Sequence, residues 1–172
     1  MPPDPDAARA RRHRATLVVD KESIGFAAAH FSVLEGGSES LHGHNYRVAV
    51  RATGGVRADG TVVDFAALKS AVRAACAELD HRMLVPTESP AVSVTVVDDE
   101  VELREGSRRF VFPRSDVCLL PVVNTTCECL AGHVLVRLRQ TLQDLDVGLE
   151  VTVEESPGQG ATVAEDGPQG EP

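Results

Sequence analysis

With 172 residues, 42% of them hydrophobic, the chain can form one domain with a real core, and a formal charge of -9 with no basic patch argues against nucleic acid as its main partner. No apolar run approaches the roughly 20 residues needed to span a bilayer. The Pro- and Arg-rich start lacks the apolar segment of a signal peptide, so a cytoplasmic protein is expected, and Cys76, Cys118, Cys127 and Cys129, without zinc-ribbon spacing, read as reduced thiols.

Residues 1–13 and the Gly-, Pro- and Glu-rich 157–172 are expected to be disordered tails around a single domain at 14–156. Within that domain, Ala15 to Val33 carries the apolar stretches Thr16-Leu17-Val18-Val19 and Ile24-Gly25-Phe26-Ala27 and reads as a long bulged strand ending near His30. Asn45 to Thr53 alternates polar and apolar residues, the pattern of a half-buried strand. Turn signals follow at Gly54-Gly55 and Asp59-Gly60. Asp64 suits a helix N-cap, and Phe65, Leu68, Val72, Ala75 and Leu79 give the following helix one apolar face, up to Asp80-His81. Residues 86–124 leave helical periodicity and fit a small β-meander or hairpin. A second helix is expected over 126–145, with Leu130, Val134, Leu135, Leu138 and Leu142 as its stripe, and Leu149 to Glu154 alternates as a closing strand. This order predicts an α+β domain with two helices on one face of an antiparallel sheet and a small β insertion between the helices.

The chemistry gathers at Leu41-His42-Gly43-His44-Asn45-Tyr46. Two histidines two residues apart on a strand point to the same side. A third, His30, folded back through the loop at 35–40, would complete the three-imidazole set of a catalytic zinc site with an open fourth position. On spacing alone, a metal site and polar surface stand as equal readings.

The wording of the motif goes further. Phe26-Ala27-Ala28-Ala29-His30 followed by Leu41-His42-Gly43-His44-Asn45-Tyr46 resembles the zinc motif of the 6-pyruvoyltetrahydropterin and 6-carboxytetrahydropterin synthase family. Asp64-Phe65-x-x-Leu68-Lys69, Leu79-Asp80-His81, Thr126-Cys127-Glu128 and Val151-Thr152-Val153-Glu154-Glu155-Ser156-Pro157 match further family motifs in order, although Cys129 stands where an Asn is usual. The resemblance covers most of 15–157 apart from the 86–124 insertion. It implies the tunnelling fold, in which ββααββ subunits join sheets into a barrel, commonly a hexamer, with active sites between subunits. It also implies Zn2+ on His30, His42 and His44, a catalytic Asp80-His81 pair, and a dihydropterin substrate anchored by Glu155 with Thr126 and Glu128 beside it.

One departure bears on the reaction. Family members that make pyruvoyl- or carboxy-tetrahydropterin usually carry a catalytic cysteine where this chain has Ser38, and a serine hydroxyl is far less acidic than a thiol of pKa about 8.5. The next residue is Glu39. A Glu-x-x-His-Gly-His pattern looks like the subgroup that substitutes for dihydroneopterin aldolase in folate synthesis, cleaving the side chain of a dihydroneopterin to give 6-hydroxymethyl-7,8-dihydropterin. The resemblance thus implies a zinc-dependent lyase with Glu39 as its base, in a partly desolvated site. Two readings stay open beside it: a 6-pyruvoyl- or 6-carboxy-tetrahydropterin synthase lacking the thiol, and a non-catalytic pterin-binding paralogue. Arg47, Arg51 and Arg82 are candidates to face a substrate phosphate.

Overall fold

A computed structural model of the chain describes residues 13–35 and 37–165. The elements in chain order are β1 (Arg14–His30), β2 (Val33–Leu34), β3 (Gly37–Ser38), β4 (His42–Gly55), α1 (Phe65–Leu79), β5 (Arg82–Pro86), β6 (Ser93–Val97), β7 (Glu100–Glu105), β8 (Arg108–Pro113), β9 (Val117–Leu120), α2 (Cys127–Thr141), β10 (Val147–Ser156) and β11 (Gln159–Ala164). Six strands form the main sheet in the order β11-β10-β4-β1-β5-β9, with β2-β3 and β6-β7-β8 as two smaller sheets.

The long strand β1 buries Val19 before an irregularity and Ile24, Phe26, Ala28 and His30 after it. Asp20 pairs with Ala49 and Gly25 with Arg47, so residues 21–24 bulge opposite Val48 alone. The inward parity therefore switches from odd to even across the bulge, as an alternating strand with three extra residues must do. Gly25 sits where a Cβ would lie 2.0 Å from the Tyr46 carbonyl oxygen, so no other residue allows β1 to approach β4 so closely there.

On β4 the even positions Tyr46, Val48, Val50 and Ala52 face inward, joined by Leu149, Val151 and Val153 of β10. Both helices close over this face, α1 with Leu68, Val72 and Leu79, α2 with Leu130, Val134 and Leu138. Burying each such leucine contributes roughly 1.5–3 kcal/mol. Asp64 caps α1 as expected, its side chain accepting from the Ala66 N–H at 2.9 Å.

Four differences from the sequence expectation stand out. The sheet is not wholly antiparallel: α1 carries the chain back across it, so β5 runs parallel to β1, and β9 parallel to β5. Helix α2 stops at Thr141 instead of 145. The expected tail from 157 instead holds β11, paired along β10 through a turn at Gly158 (φ 79), with Val163 packed on the core and Glu165 bound by Arg139. That strand escapes a composition reading because its apolar residues are few and flanked by Gly and Pro. The rest of the expected tails, 1–12 and 166–172, lies outside the described residues, while the His13 carbonyl accepts from Val56 N–H at 2.8 Å. Finally, 86–124 holds more than a meander: β6, β7 and β8 form it, but β9 joins the main sheet. The meander packs Val92, Val101, Leu103 and Phe110 against Phe31, Met83, Val85 and Val117 in a second apolar cluster at the end of β1.

Candidate metal centre

The last inward position of β1 and the first two of β4 are histidines. His30 pairs with His42 and Ala28 with His44 in the strand register, so three imidazoles continue the row that Phe26 and Tyr46 begin. Gly43 lies between them where an added Cβ would meet the Ala28 carbonyl oxygen at 2.9 Å, so a glycine lets the strand ends stay in contact. One ligand atom from each of His30, His42 and His44 falls within 4.8 Å of the others, so the three can hold a metal ion.

Hydrogen bonds set two of the tautomers. The Thr125 carbonyl can only accept, so His30 Nδ1–H donates to it at 3.1 Å, and His42 Nδ1–H likewise donates to the Ser40 carbonyl at 2.7 Å. In both rings the Nε2 lone pair is left free, which is the orientation that outer partners impose on ligating histidines. His30 is 2% exposed and its Nε2 has no partner among the described residues. A buried acceptor left without a partner is costly, and a cation beside it removes that cost. Burial, then the neighbouring His42 and His44, push the His30 pKa down, keeping the ring in the neutral form a metal requires.

Thr125, fully buried, also donates its hydroxyl to the Phe31 carbonyl at 2.9 Å. Asn124 brackets the next residues, accepting from Val33 N–H at 3.2 Å and donating to the Val33 carbonyl at 2.8 Å. Sequence reasoning missed both. Their only signal, a polar Asn-Thr-Thr run before a helix, reads as a cap.

A cleft of about 370 Å³ opens over the centre, lined by Glu39, His42, His44, Thr126, Glu128 and Glu155 among others. The structure thus brings seven of the nine expected site residues together, counting His30 at its floor. Among the described residues, no lysine or arginine lines the cleft. Glu39 is anchored by its ends: its N–H donates to the Ser32 carbonyl at 2.9 Å, and its carboxylate accepts from Ser32 N–H at 3.2 Å. In the single chain Glu39 is exposed, short of the partly desolvated setting expected from sequence. Glu155 Oε2 lies 3.8 Å from His44 Nε2 and 3.7 Å from the Cys127 thiol, which donates to it. Burial and then Glu155 push Cys127 up to about 11, so that thiol stays protonated at neutral pH. Glu128 is held below the usual carboxylate range by its own backbone N–H and the Thr126 hydroxyl.

Tyr46, another residue sequence reasoning left without a role, is 3% exposed, stacks on Phe26 at 4.7 Å, and turns its ring edge-on to His30 and His44. Its hydroxyl has no partner among the described residues, and burial pushes its pKa up, so it is a neutral phenol.

Asp80 and His81 are the two that do not join the cleft. They pair as expected, with His81 Nδ1 and Asp80 Oδ2 2.9 Å apart, while Asp80 Oδ1 accepts from Ala27 N–H at 2.8 Å. That backbone hydrogen bond, then His81, holds Asp80 below its usual range. His81 takes a positive φ of 56° and its ring, 82% exposed, faces a second cavity of about 520 Å³ beside Gly43, His44, Arg82 and Asp116. Of the candidate phosphate-facing arginines, Arg47 pairs with Asp20 and Glu154 and lines a neighbouring cavity with His44 and Glu155, while Arg51 pairs with Glu150.

The family model of 6-pyruvoyl tetrahydropterin synthase matches residues 19–166. The provisionally named 6-carboxy-5,6,7,8-tetrahydropterin synthase of Methanocaldococcus jannaschii is 31% identical over 143 residues, 80% of this chain and 88% of the relative. The crystal structure of 6-pyruvoyl tetrahydropterin synthase from Plasmodium vivax superposes with a TM-score of 0.84 at 34% identity, covering 89% of this chain and 98% of that one. Two further structures of the Plasmodium vivax protein, each with a TM-score of 0.85 at 34% identity and the same coverage, carry a catalytic glutamate replaced by alanine or by cysteine.

Proposed function

The chain belongs to the 6-pyruvoyl tetrahydropterin synthase family, and from that premise we propose that it is a zinc-dependent lyase cleaving the side chain of 7,8-dihydroneopterin, or its phosphate, to 6-hydroxymethyl-7,8-dihydropterin. The observation that carries this reading is the cleft's base. Ser38, at the family's cysteine position, has its hydroxyl engaged by Glu105 and Arg108, and the thiol in the cleft, Cys127, is protonated. Of the three carboxylates that line the cleft, Glu39 is the one next to the family's cysteine position, on the segment that leads into His42 and His44. The catalytic glutamate of the Plasmodium vivax relative supports a carboxylate in that office.

His30, His42 and His44 would hold zinc, which would supply Lewis acidity toward the substrate's side-chain hydroxyls. Glu39 accepts the proton of the 2′-hydroxyl. The C1′–C2′ bond breaks, C2′ departs as the carbonyl carbon of glycolaldehyde, and the electron pair at C1′ delocalises into the dihydropterin ring. A proton delivered to C1′ completes the hydroxymethyl group. His81 is suited to supply it, since Asp80 fixes its Nδ1–H and leaves Nε2 to exchange protons. Glu155 accepts from the pterin's amino and ring N–H groups, a two-oxygen match to two donors, with Thr126 and Glu128 beside it.

Because Asp80 and His81 face a different cavity from Glu39, this reading requires assembly: the pair of one subunit completes the cleft of another in a homo-oligomer, a hexamer by family resemblance. The reading also places the protein in the cytoplasm, with no nucleic acid or membrane partner. The second reading, a 6-carboxytetrahydropterin synthase acting on 7,8-dihydroneopterin triphosphate, is favoured by the name of the 31% identical archaeal relative.

Turnover of zinc-loaded wild type and Glu39→Gln on 7,8-dihydroneopterin tests the base. The expected loss is roughly 10²–10⁴-fold in kcat with zinc content unchanged, the usual contribution of a general base. A variant within threefold of wild type overturns the assignment.

A further inference from the structure

Glu39 sits on the short segment between β3 and β4, next to a sheet of two strands of two residues each. Such a ribbon has little stability of its own, yet a base must be held to within a fraction of an ångström of its proton. The insertion supplies what the ribbon lacks. A two-residue turn, with Gly106 at a φ of 56°, sets Glu105 opposite Arg108 at the tip of the β7–β8 hairpin. Arg108 Nη1 donates to the Ser38 hydroxyl at 2.5 Å and to the Glu39 carbonyl at 2.7 Å. Ser38 in turn donates to Glu105 Oε2 at 2.5 Å. The guanidinium lies 5.3 Å from the Phe31 ring and 4.9 Å from the Phe110 ring, and those two rings stack at 5.4 Å. Phe31 directly follows His30, so the same guanidinium that holds the Glu39 segment also packs on the segment bearing a metal ligand.

The neighbouring arginines behave differently. Arg104 and Arg109 pair with Glu102, with no bond to the Glu39 segment. Arg108 is half-buried and turned the other way, as strand alternation requires.

We propose that Arg108 is a positioning residue for the Glu39 base, and that Ser38 is the hydroxyl relay of this clamp instead of a substitute for the family's cysteine. The inference rests on Glu39 being the base. Ser32 fixes the N–H and carboxylate of Glu39 from one side, and Arg108 fixes its carbonyl from the other. The hydroxyl at 38 both accepts from Arg108 and donates to Glu105 within 2.5 Å. A thiol, larger and a weak hydrogen-bonding group, cannot do both at that spacing. Ser38→Cys therefore loosens the clamp and does not convert the enzyme to the thiol chemistry of its relatives.

The test is steady-state kinetics on 7,8-dihydroneopterin with zinc-loaded Arg108→Ala, Arg108→Lys, Ser38→Ala and, as control, Arg109→Ala, together with amide hydrogen exchange over residues 37–41. Arg108→Ala is expected to lose roughly 10–100-fold in kcat while KM stays within about threefold and zinc content is unchanged, the signature of a misplaced group. Arg108→Lys recovers part of the loss, Ser38→Ala loses several-fold, Arg109→Ala is unaffected, and exchange at 37–41 accelerates in Arg108→Ala alone among the arginine-to-alanine variants. Wild-type kcat in Arg108→Ala with unchanged exchange overturns the proposal. If Arg108→Ala fails to fold, Arg108→Lys and Ser38→Ala decide it, and wild-type kcat in both overturns it. Should Glu39→Gln retain activity, the base assignment falls, while faster exchange at 37–41 still reports whether the clamp exists.

Discussion

Thr125→Val isolates the support behind the three-histidine cluster. Valine matches threonine in shape and removes one hydroxyl, which in a fully buried position donates to the Phe31 carbonyl at 2.9 Å. That carbonyl is left without its partner, at a cost of about 1–3 kcal/mol. The second consequence concerns His30. Its Nδ1 lies 3.1 Å from the Thr125 carbonyl and 3.4 Å from the hydroxyl, so a shift of this backbone frees the ring to turn. Loss of an outer partner of a ligating histidine typically weakens metal binding by about 10–100-fold. Urea unfolding of metal-free protein at fixed concentration reads the first effect, and competition against a chromophoric zinc chelator reads the second. A lower midpoint with weaker zinc binding is expected. An unchanged midpoint with zinc affinity within twofold of wild type would refute the reasoning.

Gly43→Ala places a Cβ 2.9 Å from the Ala28 carbonyl oxygen, against backbone that cannot rotate away, so β1 and β4 must part at their histidine ends. A loss of about 1–3 kcal/mol with a larger loss of zinc affinity is expected, from the same urea and chelator titrations. Cys127, pushed up to about 11 by burial and Glu155, is expected to react with iodoacetamide at pH 8 at least about 100-fold more slowly than an ordinary thiol, as peptide mass mapping will report. Asp80 has a folded pKa held below its unfolded value, so its contribution is complete above about pH 4 and fades as pH falls through the folded pKa. The Tm difference between wild type and Asp80→Asn is therefore expected to be constant from pH 7 to 5 and to shrink below 4.

The sequence was most informative where periodicity and chemistry coincide. The alternation of β4 puts His42 and His44 on the inward face, and the bulge in β1 brings His30 onto it, so the three-histidine cluster is a direct consequence of strand parity. Asp64 and the α1 stripe are equally local and equally legible. What escaped reading depends on long-range contact. Arg108 reaches the Glu39 carbonyl across 69 positions, and Thr125 meets His30 across 95. No local pattern encodes either. The parallel pairing of β5 and β9 is a property of the crossover, not of the strands' composition. Strand β11 was hidden by Gly160 and by the Gly158 of the turn before it. One of these, Gly160, is needed because a Cβ there would come within 2.4 Å of the Val153 carbonyl oxygen. Asp80-His81 was legible as a pair but not in its direction, because the positive φ at His81 turns it to the second cavity.

The central claim is that Glu39 and a zinc centre on His30, His42 and His44 cut the C1′–C2′ bond. Mass spectrometry of products from zinc-loaded protein, incubated with 7,8-dihydroneopterin in one arm and its triphosphate in the other, tests it most directly. Release of 6-hydroxymethyl-7,8-dihydropterin with stoichiometric glycolaldehyde is the predicted result. A pyruvoyl product, which retains the C1′–C2′ bond, a carboxy product in place of the hydroxymethyl one, or no turnover of either substrate, would contradict it.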